Sequence, residues 1–351
     1  MKICIFGAGA IGGYLAVELA LAGHEVCAIA RGDHLQAIHE RGLTLLTCGQ
    51  VKTARIPASD SPADFGTQDL VICALKAHQA YESAAAFAPL LASETPVVAA
   101  MNGFPWWYFY EAGGDLAGCS LEAVDPGGRQ WNLIGPERAV GCVVDPACEV
   151  VAPGVVQHRE FRRFLLGEPD GSRSPRIVEI AQALTDAGFD APIRDGIRSH
   201  VWLKLWGNVC FNPLSALTLA TVDRIVAEPA LRSVCVAMMR EARAVAGALG
   251  IRIPEAMIKR RLAAALAMTE HKMSMLQDLE RGRPLEIDAL VTAVVELGRL
   301  TGVPTPTIEV GLALVRERGR QAGLYVPLDA GTGPHQGLAV SRRSYTGASK
   351  F

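Results

Sequence analysis

The sequence predicts an α/β domain built on a mostly parallel sheet, followed by an all-helical domain. Three observations predict it. Apolar, strand-like runs alternate with helix-like segments up to about residue 195, the pattern of parallel strands joined by crossover helices. A glycine-punctuated turn lies directly between the first such run and the first helix. From about residue 196 the strand signals stop and long helical periodicities take over.

In chain order, Lys2–Phe6 reads as a short buried strand, Ala10–Leu21 as a small-residue helix and 25–30 as a second strand. Further strands are expected at 70–74, 96–100 and 140–144. From 150 to 166 the pattern breaks into short pieces around Pro153-Gly154, as in an antiparallel edge. A helix at 175–187 and a strand at 189–193 close this part. Helices are then expected at 197–219, 228–250, 254–268, Ser274–Glu280, 286–302 and 305–321. Gly250 and Gly302 fit helix C-termini, and Pro254 and Pro304 fit restarts just beyond them. The 351 residues therefore divide into 1–195, 196–330 and a Gly-, Ser- and Arg-containing tail, 331–351.

Composition excludes several classes. Half of the residues are hydrophobic and 20% are charged, enough apolar side chain for a large core. With 34 basic against 36 acidic residues the chain is not tuned for nucleic acid. Its nine cysteines are odd in number, form no CxxC and sit partly in apolar runs such as Val71-Ile72-Cys73-Ala74. That predicts buried thiols in a reducing compartment, hence a cytoplasmic protein. Glu18 and a cluster of glycines interrupt the apolar N-terminus, which argues against a secretion signal, and no neutral stretch reaches membrane-spanning length. Eight scattered histidines without HxH or HExxH spacing support no metal site, and neither GxSxG nor a P-loop occurs.

The turn is Gly7-Ala8-Gly9-Ala10-Ile11-Gly12, a GxGxxG that follows a strand and opens a helix. In that context it is a dinucleotide cradle of Rossmann type. Gly7 permits the tight turn, Gly9 lets backbone approach a pyrophosphate, and Gly12 lets the helix pack on the strand. Gly7, Ala8, Gly9, Ala10, Ile11 and Gly12 are thus the expected cofactor-binding run, with the helix-start amides meeting the anion. An NAD enzyme would place an acid at the end of the second strand. Here the chain reads Ala28-Ile29-Ala30-Arg31-Gly32, with no acid before Asp33. Arg31 suits a 2′-phosphate, so NADP(H) is the expected cofactor, although a solvated loop arginine would leave the same sequence. Lys76 and Asn102 also follow strands, at the ligand-binding ends of such sheets.

In the second half, Lys204, Asn208 and Asn212 recur every four residues on one face of an otherwise bulky, apolar helix. Buried polar groups so aligned need partners. A structural hydrogen-bond seam would supply them, and so would a ligand. Ser274 and Asp278 share a face of a later helix, and Glu286 opens the next one, where an acid also complements the helix dipole.

Together these segments resemble the ketopantoate reductase (2-dehydropantoate 2-reductase) family. The matching pieces are residues 7–12, Arg31, Leu75-Lys76-Ala77, Asn102-Gly103, Lys204 through Asn212-Pro213-Leu214, Ser274-Met275-Leu276-Gln277-Asp278 and Glu286-Ile287-Asp288. The resemblance implies a Rossmann domain, a helical domain like the C-terminal part of 6-phosphogluconate dehydrogenase, and an active site between them. It implies NADPH-dependent reduction of a small 2-keto acid, ketopantoate to pantoate in pantothenate biosynthesis. Lys204 corresponds to the catalytic lysine and Glu286 to its acidic companion. Asn102 would contact cofactor and substrate, Asn208, Asn212 and Ser274 the substrate, and Lys76, Arg31 and the backbone of Ala147 the cofactor.

Two stretches depart from the family pattern. An aromatic run, Phe104-Pro105-Trp106-Trp107-Tyr108-Phe109-Tyr110, follows Asn102-Gly103 and reads as buried packing, as a homodimer surface or as a reshaped pocket. Val222 stands where a further substrate-binding asparagine is expected. Both leave room for a paralogue acting on a bulkier keto or hydroxy acid. A non-catalytic NADP-binding regulator is a third reading, which the presence of both Lys204 and Glu286 disfavours.

Overall fold

The computed structural model describes residues 1–328, so the tail expected at 331–351 lies outside the described residues. The described chain divides into two compact units. The first comprises Met1–Ser120 and Gly127–Arg198, and the second Leu121–Pro126 with the chain from Ser199 onward.

The first unit begins β1 (Lys2–Phe6), α1 (Ala10–Leu21), β2 (Glu25–Ile29), α2 (Gly32–Arg41), β3 (Leu43–Thr47), β4 (Gln50–Ala54), β5 (Ala58–Ser59), β6 (Leu70–Cys73), α3 (Ala77–Glu82) and β7 (Val97–Ala99). It continues with α4 (Arg129–Leu133), β8 (Ala139–Val144), β9 (Ala147–Ala152), β10 (Val155–Glu160), β11 (Phe164–Gly167) and α5 (Pro175–Asp186). Seven strands form one sheet in the order β11-β8-β7-β6-β1-β2-β5. All its neighbours are parallel except β11, which runs antiparallel to β8. The interior strands β6, β7 and β8 are buried at every residue, as parallel strands covered on both faces must be. From β1 the chain crosses to β2 on one side and later to β6 on the other, so a topological switch point lies beside β1.

A second sheet, β4-β3-β10-β9, was not anticipated. The pieces expected as one antiparallel edge separate. β11 is the edge of the main sheet, whereas β9 and β10 pair with each other and, through β10, with β3. The β3–β4 hairpin turns on Cys48 and Gly49, both at positive φ (48° and 74°). Those are the dihedral signs of a type I′ turn, which a cysteine in place of Asn or Asp disguises. The strand expected at 189–193 reduces to two parallel bridges beside β11, because Pro192 has no N–H to give.

α1 is buried on both sides, and two adjacent glycines make that possible. A Cβ on Gly12 would collide with Gly7 O and come 2.9 Å from Ile5 Cγ2, so this glycine seats the helix on β1. A Cβ on Gly13 would come 2.6 Å from Val156 Cγ2 of β10, so its neighbour seats the same helix on the second sheet.

The aromatic run resolves as packing. Phe104 and Trp106 through Phe109 are 1–5% exposed. Trp107 lies on Gly141 of β8, where a Cβ would come 2.8 Å from the indole ring. The Arg198 guanidinium donates to Tyr108 O (2.7 Å) and also to Pro169 O and Tyr110 O. Three N–H groups of one guanidinium thereby satisfy two carbonyls of this irregular buried loop and one at Pro169.

The second unit is helical. It contains α6 (Ile197–Thr218), whose first two residues belong to the first unit, α7 (Val222–Ala227), α8 (Pro229–Ala248), α9 (Ala256–Ala267) and α10 (Ser274–Glu280). A π-helical turn, Asp288–Thr292, then runs into α11 (Ala293–Thr301), and α12 (Pro306–Gln321) follows. The short α7 was not expected. Val222 heads it and is 2% exposed, a core position. Leu121–Pro126 joins this unit through Glu296, whose carboxylate accepts from the N–H groups of Glu122 and Ala123, both at 2.8 Å. Burial pushes the Glu296 carboxyl up while those two donors pull it down.

Gly12→Ala should therefore destabilise the fold by at least the ~1–3 kcal/mol typical of overpacking. The measurement is thermal unfolding, and a melting temperature equal to wild type would contradict this packing.

Candidate active site

In the first unit, the expected cofactor residues follow the carboxyl ends of five strands of one sheet. Gly7 follows β1 at φ +103°, and a Cβ there would come 2.6 Å from Leu75 Cδ2. The N–H groups of Gly7 and Ala8 both donate to Ile29 O of β2, at 3.2 and 2.9 Å, which ties the turn down. α1 then starts at Ala10 with no side-chain cap and no acid in its first turn. Its unblocked amides and positive dipole end suit an anion. A Cβ on Gly9 would meet nothing within 4 Å. Packing does not demand this glycine, whereas close approach of a ligand to the backbone would.

Arg31 follows β2 and is the N-cap of α2 in an extended conformation (φ −141°, ψ 160°). It is exposed and makes no ion pair or side-chain hydrogen bond among the described residues. Asp33, the nearest acid, is exposed in the first turn of α2, where it complements that helix's dipole. Lys76 is the half-buried N-cap of α3, just beyond β6. Asn102 follows β7, and its Oδ1 is buried with no hydrogen-bond partner. Ala147 follows β8 as the first residue of β9, in register with Glu160. It therefore opens the second sheet, and only its backbone could serve a ligand.

In the second unit, Lys204, Asn208 and Asn212 lie along one face of α6. Lys204 is half-buried, while Asn208 and Asn212 are 9% and 1% exposed. Pro213 follows directly and offers no N–H to Val209 O, loosening the helix ladder at this point. Asn212 Oδ1 accepts from Met275 N–H (3.1 Å) and Ser274 Oγ–H (3.2 Å), at the start of α10. A backbone N–H can only donate, so the amide orientation is fixed. Asn212 Nδ2 then points its two hydrogens elsewhere, buried and without a partner. Asn212 and Ser274, 62 residues apart, are thus brought together.

Glu286 is half-buried between buried Leu285 and Ile287. Leu285 N–H donates to Leu324 O (2.9 Å), and Asp288 accepts from Tyr325 Oη (3.0 Å), Arg316 Nη2 (3.0 Å) and Thr292 Oγ1 (2.6 Å). The segment carrying Glu286 is pinned on both sides, and the irregular π turn begins two residues later.

One residue that the motif reading did not single out is His34 of α2, whose ring is bonded to the glycine turn. A lone histidine in a polar helix carries no signal at the level of sequence. Among the described residues no group of three or more His, Cys, Asp or Glu could hold a metal ion, and no helix is long and apolar enough to cross a membrane.

The family model described as "Ketopantoate reductase PanE/ApbA" matches residues 3–171, and "Ketopantoate reductase PanE/ApbA C terminal" matches 196–319. A 2-dehydropantoate 2-reductase of Mesorhizobium japonicum is 53% identical over 326 residues, which are 93% of this chain and 100% of that one. A crystal structure from Ralstonia solanacearum MolK2 aligns with a TM-score of 0.88 at 46% identity, over 92% of this chain and 99% of its own. A PanE/ApbA family ketopantoate reductase from Ralstonia eutropha JMP134 aligns at 0.79 and 31% identity, over 92% of this chain and all of its own.

Gly9→Ala separates the cradle from the packing. Its melting temperature should stay at wild type, while dinucleotide affinity measured by fluorescence titration should fall about tenfold or more, ~1.4 kcal/mol. An unchanged affinity would remove Gly9 from the ligand's path.

Proposed function

This chain belongs to the ketopantoate reductase family, and from that premise we propose that it reduces ketopantoate to pantoate with NADPH in the cytoplasm. The observation that carries the substrate is the likeness to the Mesorhizobium protein along that protein's whole length. The family makes it a pyridine-nucleotide-dependent oxidoreductase acting on a small keto acid. Phe104, Trp106 through Phe109 and Val222, which had suggested a bulkier acid, are buried side chains of the core.

The residues fit the cofactor. The 7–12 turn and the uncapped start of α1 would hold the pyrophosphate, and Arg31 the 2′-phosphate. Lys76, Asn102 and the backbone of Ala147 complete the set, with Asn102 Oδ1 a buried acceptor awaiting a donor. When bound, NADPH supplies the hydride for the keto carbon.

The rest of the chemistry belongs to the chain. Lys204 donates a hydrogen bond from its ammonium to the keto oxygen, which draws electrons from the carbon under attack. It then gives that oxygen its proton as the alkoxide forms, and regains one from solvent. Glu286 orients the ammonium toward the keto oxygen. Asn208, Ser274 and the free Nδ2–H groups of Asn212 hold the substrate, so that carboxylate and carbonyl meet fixed donors.

Two variants test these roles. Lys204→Ala should lower kcat by roughly 10²–10⁴-fold, the range of general acid catalysis, with the Kd for NADPH nearly unchanged. Loss of NADPH affinity at an undiminished rate would overturn that role. Arg31→Glu should weaken NADPH far more than NADH, by at least ~10-fold in relative Kd, since a charge-assisted hydrogen-bond pair becomes a like-charge contact. Equal effects on the two cofactors would contradict the 2′-phosphate contact.

A further inference from the structure

We propose that His34 is a positioning residue for the dinucleotide: as a neutral ring it clamps the 7–13 turn to the β9–β10 hairpin, and so links cofactor affinity to pH. The inference rests on the reading of that turn as the dinucleotide cradle.

Its geometry fixes the protonation state. Gly154 N–H donates to His34 Nδ1 at 3.0 Å, so Nδ1 carries no proton. The other nitrogen, Nε2, lies 2.8 Å from Ala8 O and therefore donates to it. A doubly protonated ring would set two N–H groups against each other at Gly154, and that contact would have to open.

What the ring holds is the part that matters for the ligand. Ala8 gives its N–H to Ile29 O and its carbonyl to His34, so both of its backbone groups are committed. Those two bonds fix the peptide planes that present Gly9 and the first amides of α1. His34 also stands in the first turn of α2, three residues after the N-cap Arg31, and so ties the helix bearing that guanidinium to the same turn. On the far side, Gly154 at φ +74° rests on α2, where a Cβ would come 3.0 Å from Ala37 Cβ, and its carbonyl accepts Thr44 N–H of β3 at 2.8 Å. One imidazole thus joins the glycine turn of the main sheet to the hairpin of the second sheet.

The ring has no acid to favour its charged form. Residues 7–13 of the turn, 151–156 of the hairpin and 43–47 of β3 carry no titratable side chain. On α2 the neighbours are exposed Arg31 and Asp33, and on α1 the next groups along are Tyr14 and Glu18, the latter paired with Lys52. Burial accordingly pushes the His34 pKa below its usual 6.5. A group depressed in this way and neutral when folded contributes fully above that unfolded value. Its contribution is lost as pH falls through the lower, folded pKa.

The test measures binding of NADH and NADPH between pH 5 and 8 for wild type, His34→Gln and His34→Asn. NADH reports the loop without titration of a 2′-phosphate. Wild-type Kd for NADH should rise about fivefold or more on acidification, the scale of ordinary coupling between sites. His34→Gln keeps a donor for Ala8 O but offers Gly154 no acceptor and cannot titrate, so its Kd should stay flat at the raised value that wild type reaches in acid. His34→Asn keeps an acceptor for Gly154 but no donor for Ala8 O, and should bind weakly at every pH. A purely structural histidine would instead lower the melting temperature of both variants and leave their affinities and acid limbs as in wild type, which overturns the proposal. Failure of wild type to bind either nucleotide at any pH would instead refute the cradle itself. Should neither variant fold, ¹⁵N NMR of wild-type His34 decides. Addition of NADPH must lower its pKa further, and an unmoved pKa overturns the clamp.

Discussion

The fold of the first unit depends on one close approach, that of α1 to the end of β1. Gly7 turns the chain at a positive φ, and Gly12 brings the helix against Gly7 O with no room for a side chain. That approach aims the uncapped helix start at the carboxyl edge of the sheet. It also leaves the opposite face of α1, at Gly13, to receive the second sheet. A bulkier residue at either position would lift the helix, and with it the amides that the sheet presents. These glycines therefore set the packing of the turn and helix, except Gly9, where a Cβ would meet nothing within 4 Å.

Where the site is concerned, half-satisfied amides are the informative feature. Leaving a buried polar group unpaired costs roughly 1–3 kcal/mol, so such groups persist where a ligand completes them. Asn102 Oδ1 and Asn212 Nδ2 are both of this kind, one an acceptor and one a donor. Elsewhere the protein satisfies comparable demands internally. Glu296 takes two N–H groups from Glu122 and Ala123, and Glu241 takes two from Thr307 and Ile308 at the start of α12, at 2.9 Å each. Asn102 Oδ1 and Asn212 Nδ2 stand open beside those closed pairs, as do buried polar atoms away from the candidate site such as Trp107 Nε1 and Arg138 Nε.

Elements whose pattern is set by local sequence were legible before the structure. Lys2–Phe6, Ala10–Leu21 and Ser274–Glu280 stand at their expected bounds, because a buried apolar strand and helices that end just before a glycine (Gly23, Gly282) are marked in the chain itself. The second sheet was hidden for three reasons: β10 pairs with β3 across more than a hundred residues, the β3–β4 turn uses Cys48, and α2 buries only two residues. In the site, Lys204, Asn208 and Asn212 were visible as a four-residue rhythm, but the bond from Ser274 to Asn212 needed the folded chain. His34 was not visible at all, since its importance lies in two backbone atoms, Ala8 O and Gly154 N, that no sequence pattern marks.

Reduction of ketopantoate by this chain with NADPH as the donor is tested by initial rates of NADPH oxidation by the purified protein. Against a panel of 2-keto acids, kcat/KM should be highest for ketopantoate and should fall sharply when NADH replaces NADPH. Turnover that prefers an aryl or long-chain keto acid, or that is indifferent to the 2′-phosphate, would contradict it.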